Sequence, residues 1–324
     1  MAPEATYLRD ECERRLTAAA AIAAGEVYQM GDGKAGVKTG LNAAASGDRA
    51  NFTTEGIFTV AKTTGVVIID GGRVYWDHSA NTATFRKVND SDFYIGRAIG
   101  DSASADTTLV VDLNSDPPYD IDLNHDPFAS VLVGTAAAGG FCYPVKLGGA
   151  CRMELTATNE AQKVDLLSVD GFAPGAKAII SGAFRVEADG GAVSNVDVSL
   201  GVASATHASD ADAIAESAFI HLDQNDTKIY CESDDGTTEV AATDSTKTYT
   251  EGATKACQVE FWIDLRDLTA VKFYINGVRV LTSTAFKLDA ATGPLFLLAH
   301  LEKASSTDVY KLHVDWLRAR LTQQ

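Results

Sequence analysis

Residues 258–281, QVEFWIDLRDLTAVKFYINGVRVL, contain the strongest fold signal in the chain. Apolar and polar side chains alternate in the first part, which is the pattern of a strand with one buried face. Asn276-Gly277 then separates two further β-like segments. This dipeptide is the strongest short hairpin signal, because a type I′ turn needs a positive φ at both positions. The stretch therefore predicts antiparallel β-structure. The alternating apolar positions are Val259, Phe261, Ile263 and Leu265.

The C-terminal end of the chain repeats this alternation. Apolar side chains occupy every second position from Tyr310 to Trp316, and the phase slips at Leu317, which predicts a β-bulge. Only residues 210–216 favour a short helix. We therefore predict an antiparallel β-sandwich (jelly roll) over residues 150–324. Its other expected strands are residues 178–188, 196–203, 218–222, 228–232, 270–275, 278–281 and 295–301.

The first third of the chain has shorter β-like segments, and glycine-rich turns separate them. So many short strands in about 90 residues predict a small β-barrel-like domain over residues 1–113, so the chain as a whole is expected to be all-β. The segments are residues 26–30, 56–61, 66–69, 73–76, 93–99 and 107–113, and the turns are Gly31-Asp32-Gly33, Ser46-Gly47-Asp48 and Asp70-Gly71-Gly72.

Residues 114–149 are expected to connect the two domains. Two prolines stiffen the first half, NSDPPYDIDLNHD, and glycines loosen the second. Residues 130–134 and 142–147 are expected to form strands of the second domain. Oxygen-bearing side chains alternate from Asp120 to Asp126, as calcium ligands do, but the composition of an acidic linker explains the run as well.

Composition restricts the partners of the protein. The 324 residues have a formal net charge of −17, whereas nucleic-acid binding requires a basic face and an anionic membrane repels an acidic protein. The apolar run of residues 18–24 is too short to span a bilayer. We expect no nucleic-acid partner and no membrane insertion.

The N-terminus and the cysteines indicate the compartment. The first residues lack the basic-then-apolar layout of a secretory signal. The five cysteines include no CxxC pair and no regular framework. We therefore expect a protein that is assembled in a cytoplasm with its thiols free.

No recognised catalytic motif is present in the sequence. The chain has no GxSxG, HExxH or P-loop, and its six histidines have no partner at metal-ligand spacing. Glu260 and Asp264 share a strand face, but four residues on a strand separate them by ~13 Å, which exceeds the spacing of a glycosidase pair. They are expected to be exposed carboxylates. We predict no enzymatic activity, no cofactor and no metal.

An ordered set of short motifs in residues 20–113 resembles the capsid-decoration (cement) family of tailed bacteriophages. The motifs are Ala24-Gly25-Glu26-Val27, Ala35-Gly36-Val37, Gly47-Asp48, Thr54-Glu55-Gly56-Ile57-Phe58, Gly71, Val74-Tyr75-Trp76-Asp77, Ile95-Gly96-Arg97-Ala98 and residues 107–113. The resemblance implies a structural virion protein on the capsid exterior. It implies a homotrimer that binds the major capsid protein and clamps its neighbouring subunits against internal pressure.

The resemblance also implies contact residues. In this family an arm before the first strand can be extended and can pair with capsid strands, a form of β-augmentation. Here the arm is residues 1–23, and its expected capsid contacts are Tyr7, Leu8 and Leu16, joined by Tyr75 and Trp76 of the barrel wall. A helix over residues 10–25 is the alternative, since Asp10 suits a cap, Glu13 has capping-box spacing and Gly25 suits the C-terminal end.

The second domain has a weaker resemblance. Residues 273–280, FYINGVRV, resemble a hairpin of concanavalin-type jelly-roll domains, many of which bind glycans. Trp262 and Tyr274 lie on the polar faces of their strands and are expected to contact a host-surface or environmental glycan, unless the opposite sheet or a trimer neighbour covers them. Two functions follow: a capsid decoration protein with a projecting adhesive domain, or a carbohydrate-binding module without a capsid role.

Overall fold

The computed structural model describes residues 13–87, 89, 91–115, 119–135, 141–142, 150–189, 196–207, 210–222, 226–307 and 309–321. The chain forms two compact units, Met1–Pro118 (the N-terminal unit) and Tyr119–Gln324 (the C-terminal unit). The described residues form antiparallel sheets and two one-turn 3₁₀ segments, Pro174–Ala176 and Lys255–Cys257. The predicted all-β class is confirmed. Within these residues no helical segment has the length and apolarity of a membrane span.

The N-terminal unit begins with a four-stranded sheet in the order β1-β4-β3-β2. Residues 13–17 of the proposed arm form a strand, in which Arg14 pairs with Phe52 across the sheet. The helix interpretation is therefore wrong for these residues, because pairing with a neighbouring strand outweighs local helix propensity. The strands are β1 (Glu13–Thr17), β2 (Val27–Gln29), β3 (Ala35–Lys38) and β4 (Arg49–Thr53), and their core is Ala18, Ile22, Met30, Ala44, Ala50 and Phe52.

The second sheet of this unit has five strands in the order β5-β9-β8-β6-β7. Lys62, just after β5, forms a parallel bridge with Ala83 on β7, and the amide of Thr63 donates to the Ala83 carbonyl at 2.9 Å. The sheet thus curls until its two edges meet, which makes it barrel-like. The strands are β5 (Ile57–Ala61), β6 (Arg73–Asp77), β7 (Thr82–Thr84), β8 (Phe93–Ala98) and β9 (Thr108–Leu113).

Asn114 connects the two sheets of the N-terminal unit. It follows β9 with a φ of 56°, a conformation that asparagine tolerates better than most residues. Its Oδ1 accepts a hydrogen bond from the amide of Ala35 at 2.9 Å. Its Nδ2 donates to the carbonyls of Ala35 at 2.8 Å and Thr54 at 2.7 Å. One side chain therefore satisfies backbone groups at β3 and just after β4.

Gly96 on β8 provides a test of the close packing between β8 and β9. Its φ is +144°, and a Cβ atom there would lie 2.0 Å from the carbonyl oxygen of Asp112. Gly96→Ala is expected to destabilise the N-terminal unit by more than about 4 kcal/mol, since backbone must move. Gly65→Ala is the control, because Gly65 also has a positive φ (+85°) but open space around it. That control should cost about 1–2 kcal/mol.

Hydrogen exchange followed by mass spectrometry on peptides from β8 and β9 measures the difference between these two variants. Gly96→Ala should abolish protection there, whereas Gly65→Ala should keep most of it. Equal protection in the two variants would contradict the close approach of β8 and β9.

The C-terminal unit is a sandwich of two sheets. One has seven strands in the order β11-β14-β23-β16-β17-β18-β19. The other has the order β12-β13-β24-β15-β20-β21-β22, and β10 also pairs with β24. The first set of strands is β10 (Ile121–Asp122), β11 (Phe128–Val133), β12 (Phe141–Cys142), β13 (Cys151–Glu154), β14 (Glu160–Ser168), β15 (Ala178–Asp189), β16 (Val196–Ala203) and β17 (Glu216–Leu222). The second set is β18 (Lys228–Asp235), β19 (Glu239–Thr248), β20 (Val259–Asp264), β21 (Lys272–Ile275), β22 (Val278–Arg279), β23 (Phe296–Ser306) and β24 (Val309–Leu321).

A single apolar core lies between these sheets. Both contribute the alternate side chains of their strands, as a sandwich requires. Members from the seven-stranded sheet include Val164, Leu166, Leu200, Ile220 and Leu301, and members from the other sheet include Phe184, Phe261, Phe273, Leu312 and Val314.

Two local predictions are confirmed and one is wrong. Asn276 and Gly277 both have positive φ values, 49° and 73°, between β21 and β22. Ala183 pairs with Trp316 and Phe184 with Val314, so Asp315 is the extra residue of the expected bulge. Residues 210–216 form turns and the start of β17 instead of a helix. There the Asp210 carboxylate accepts the amide of Asp212 at 3.0 Å and competes with helical bonding.

Part of the expected connection lies inside the C-terminal unit. β11 pairs with β14 along its length, from Phe128 opposite Ser168 to Val133 opposite Lys163. This strand includes most of the predicted segment 130–134.

Candidate functional site

The residues expected to contact a capsid differ in accessibility. Tyr7 and Leu8 lie outside the described residues. Leu16 on β1 is half-buried and packs against the core of the four-stranded sheet. Trp76 on β6 is buried, whereas Tyr75 beside it is half-buried. Tyr75 is therefore the more accessible of the two aromatic residues, and these contacts stay predictions.

The two residues expected to contact a glycan are covered. Trp262 is 3% exposed and Tyr274 is 6% exposed. They pair across β20 and β21, and their ring centroids are 6.1 Å apart. Neither ring presents an open face for stacking on a sugar, so a glycan contact by these residues stays an untested prediction.

The carboxylates of the acidic run bind groups of the protein itself. Asp120 Oδ2 accepts the amide of Leu321 at 2.7 Å, and Asp126 Oδ2 accepts the amide of Asp122 at 2.7 Å. Asp122 Oδ2 lies 2.8 Å from Arg318 Nε. The run therefore fastens its segment to β24, and these contacts do not require calcium.

Glu260 and Asp264 were expected to be exposed, and this expectation is wrong. They are 5% and 2% exposed. Asp264 Oδ2 lies 2.8 Å from Arg266 Nη2, so this carboxylate is held in an ion pair.

A set of polar side chains on the seven-stranded sheet is the main feature that the sequence interpretation missed. They lie on the face opposite the sandwich core, and we name them the outer-face cluster. Most are buried, although Glu302 is only partly covered and the Asp212 side chain is 44% exposed. The members are Lys163, Asp165, Asp197, Ser199, Asp212, His221, Glu232, His300 and Glu302.

Strand register brings the cluster together. Asp165 on β14 lies opposite His300 on β23, which lies opposite Ser199 on β16, which in turn lies opposite His221 on β17. Facing residues in antiparallel strands have Cβ atoms about 4.5–5.5 Å apart, so these side chains form a continuous row.

Asp212 reaches this row from a turn. Ala211 and Ile214 of the turn pack against Phe219 and Leu298 on the outer face of the sheet. The Asp212 carboxylate between them lies 3.1 Å from Nδ1 of His221. An apolar anchor on each side of Asp212 therefore fixes the turn over the row.

The first half of the cluster is an ion network around His300. Its Nδ1 lies 2.6 Å from Asp165 Oδ1 and its Nε2 lies 3.2 Å from Glu302 Oε2, while Lys163 Nζ lies 2.8 Å from Asp165 Oδ2. Burial disfavours the imidazolium, but hydrogen bonds and charge from Asp165 and Glu302 outweigh it and raise the pKa of His300 to about 9.

The second half surrounds His221. Asp197 Oδ1 lies 3.2 Å from its Nε2, and Glu232 Oε1 lies 3.3 Å from its Nδ1. Burial opposes the charge on His221, but these carboxylates and Asp212 together raise the pKa of His221 far above its ordinary value. Burial also raises the pKa of Glu232 to about 7. Burial opposes ionisation of Asp212, but His221 outweighs it and lowers the pKa of Asp212.

The sequence interpretation treated all six histidines as isolated, and this is wrong for His221 and His300. Asp165 is 135 residues from His300, and Asp197 lies on another strand than His221, so strand pairing is needed to bring these partners close. A usable signal existed in the alternation of polar and apolar residues within β14 and β16, where Lys163, Asp165, Asp197 and Ser199 fall on one face. β14 was not among the expected strands.

The cysteines agree with the expectation for the part of the chain that the structure describes. Cys231 is buried and Cys257 is partly exposed, and both thiols are free, while Cys151 is buried. Burial raises the pKa of the Cys231 thiol, which makes it unreactive as a nucleophile.

Comparison with known proteins connects the N-terminal unit to one family. Residues 11–113 match the family model described as phage cement protein. The match covers about a third of the chain and falls within the N-terminal unit. No curated protein matches the sequence.

Solved structures resemble the chain in fold alone. The carbohydrate recognition domain of Emp47p is 11% identical with a TM-score of 0.41, over 59% of this chain and 88% of that chain. Lectin II from Ulex europaeus is 10% identical with a TM-score of 0.41, over 63% and 100%. The alginate lyase AlgAT5 of polysaccharide lyase family 7 is 15% identical with a TM-score of 0.38, over 56% and 81%. These scores are too low to support an argument about function.

His300 predicts a pH dependence of stability. Because its pKa is raised from 6.5 to about 9 in the folded protein, its contribution is fully present below pH 6.5 and is lost as the pH rises through about 9. The loss of the His300 contribution should be about 3 kcal/mol at most. It is measured as the difference between wild type and His300→Gln in the pH dependence of the unfolding free energy of the C-terminal unit, in urea between pH 6 and 10.

His300→Gln should make this dependence less steep, and the part that remains comes from His221, whose pKa is also raised. His125→Gln should keep the full wild-type dependence, since the His125 side chain is 61% exposed. A wild-type stability that rises over this interval, or the same slope in His300→Gln, would show that the buried imidazolium is absent.

Proposed function

We propose that the protein is a structural component of a phage virion. Its N-terminal unit binds the major capsid protein on the outer surface of the head and stabilises the capsid as a homotrimer. The observation that supports this most is the match of residues 11–113 to the phage cement model, since it occupies nearly all of the N-terminal unit, Met1–Pro118.

The position of β1 supports docking by strand addition. β1 is at the edge of the sheet order β1-β4-β3-β2. The amide of Ala18 donates to the carbonyl of Asp48 at 2.8 Å, and Thr17 pairs with Arg49. Hydrogen bonding alternates along an antiparallel ladder, so the amide of Arg15 points away from β4. An extended capsid segment can pair with that outward row of backbone groups.

The C-terminal unit is proposed to project from the head and to adhere to a glycan. It has its own apolar core and so folds as a separate body. Because Trp262 and Tyr274 are buried, adhesion would use other residues. Most of the acidic excess of the chain lies in the C-terminal unit, and a strongly negative surface suits a projection surrounded by solvent.

Binding to expanded heads that lack the protein tests the capsid role. The full chain should co-sediment with such heads at a saturating stoichiometry and should reduce DNA loss on heating. Arg15→Pro removes the outward amide of β1 and should weaken binding about tenfold, the effect of one lost hydrogen bond of about 1.4 kcal/mol. Arg15→Ala is the matched control, because it removes the same exposed side chain and keeps the amide.

Several outcomes would contradict the proposal. Failure of the full chain to bind expanded heads would exclude the capsid role. Binding of the full chain to a glycan array without any binding to heads would favour the carbohydrate-binding module. Equal affinities of Arg15→Pro and Arg15→Ala would exclude strand addition at β1 while leaving docking by another surface.

A further inference from the structure

Three side chains of the outer-face cluster converge on one point. Nδ1 of His221 lies 3.1 Å from Asp212 Oδ1 and 3.3 Å from Glu232 Oε1. One ligand atom from each residue lies within 4.8 Å of the other two. Among the described residues, Asp212, His221 and Glu232 are the one group of at least three His, Cys, Asp or Glu side chains that could hold a metal ion.

The separations fit a shared ion. Zinc binds imidazole nitrogen and carboxylate oxygen at ~2.0–2.2 Å, so two ligands of one ion at tetrahedral or octahedral angles lie ~3.0–3.5 Å apart. Both nitrogen–oxygen distances around His221 fall in this interval. The three ligands come from β17, β18 and the turn before β17, so the fold holds them from three directions.

Unpartnered buried atoms give an independent indication of a ligand. The His221 side chain is 2% exposed and the Glu232 side chain 9% exposed. Within the described part of the chain, His221 Nδ1 and Glu232 Oε1 lie at ion-pair distance from each other, but neither atom makes a hydrogen bond of good geometry. The hydroxyl of Ser199, opposite His221 on β16 and fully buried, also has none among these residues. Buried polar atoms normally have partners, so these three indicate a missing ligand.

The Nε2 side of the His221 imidazole faces a carboxylate, as is usual for histidines that bind a metal through the other nitrogen. Asp197 Oδ1 lies 3.2 Å from His221 Nε2. In the neutral imidazole that binds a metal, a carboxylate at this nitrogen holds the proton on Nε2, leaves Nδ1 for the metal and makes the imidazole a stronger ligand. Asp212, with a side chain 44% exposed, provides a path of entry from solvent.

We infer that Asp212, His221 and Glu232 bind a divalent transition-metal ion of the zinc type. Three carboxylates around one imidazole leave a local excess of negative charge, which a divalent cation offsets. An imidazole with two carboxylates favours zinc over calcium, which prefers an all-oxygen shell. Three protein ligands leave a fourth position for water. The ion would fasten the turn of residues 210–215 to β17 and β18, independently of any capsid role.

Metal binding by the untagged full chain tests this inference. After treatment with a chelator, the protein is dialysed against micromolar Zn²⁺, and the bound zinc is measured by inductively coupled plasma mass spectrometry. The wild type should bind one zinc ion per chain, and Ca²⁺ at the same concentration should not bind at this site. Zinc should also raise the Tm of the C-terminal unit by several degrees.

Asp212→Asn should weaken zinc binding at least tenfold. It is the informative variant because Asp212 is exposed, and circular dichroism can verify that the variant is folded. Asp289→Asn is the matched control, since it makes the same charge change at another exposed position of the same unit. Wild-type binding of less than half an ion per chain would overturn the inference. Equal binding by Asp212→Asn and wild type, or binding of Ca²⁺ alone, would overturn it as well.

Discussion

The register of the seven-stranded sheet is the constraint on which the C-terminal unit depends. Side chains alternate along a strand, so a shift of one residue would exchange the two faces of that strand. In the observed register the inner face supplies aliphatic side chains to the core. The outer face aligns Asp165, His300, Ser199 and His221 in one row. The apolar core and the charged cluster therefore require the same strand pairing, and a shifted register would disrupt both of them.

That double requirement explains how buried charge is compatible with the fold. A buried ion pair seldom adds more stability than well-packed apolar residues, but an unpaired buried charge is strongly destabilising. Lys163, Asp165 and His300 form a chain of opposite charges with separations of 2.8 Å and 2.6 Å. A slipped β14 would carry Lys163 and Asp165 together away from His300 on β23. The cluster therefore contributes more to the selection of one register than to the total stability of the unit.

The sequence predicted those strands in which apolar and polar residues alternate clearly. The bounds of β16 and β24, the Asn276-Gly277 hairpin and the bulge at Asp315 all follow from this local pattern. β14 was missed, and with it the cluster, although Lys163 and Asp165 alternate with Val164 and Leu166, because the alternation is short and ends at Leu166-Leu167. β1 was open to a helix interpretation since local propensity does not include the partner strand. The outer-face cluster combines residues from Lys163 to Glu302, and no short stretch of sequence shows which of these strands pair with one another.

The two units provide different kinds of evidence about function. The N-terminal unit has turn glycines and strand edges whose order matches a family, and its interpretation depends on that match. The outer-face cluster has no such pattern, and its interpretation depends on distances between atoms that are far apart in sequence. A capsid role for one unit and a metal site in the other are therefore supported by separate observations. Each unit also has its own core, so neither conclusion requires the other to hold.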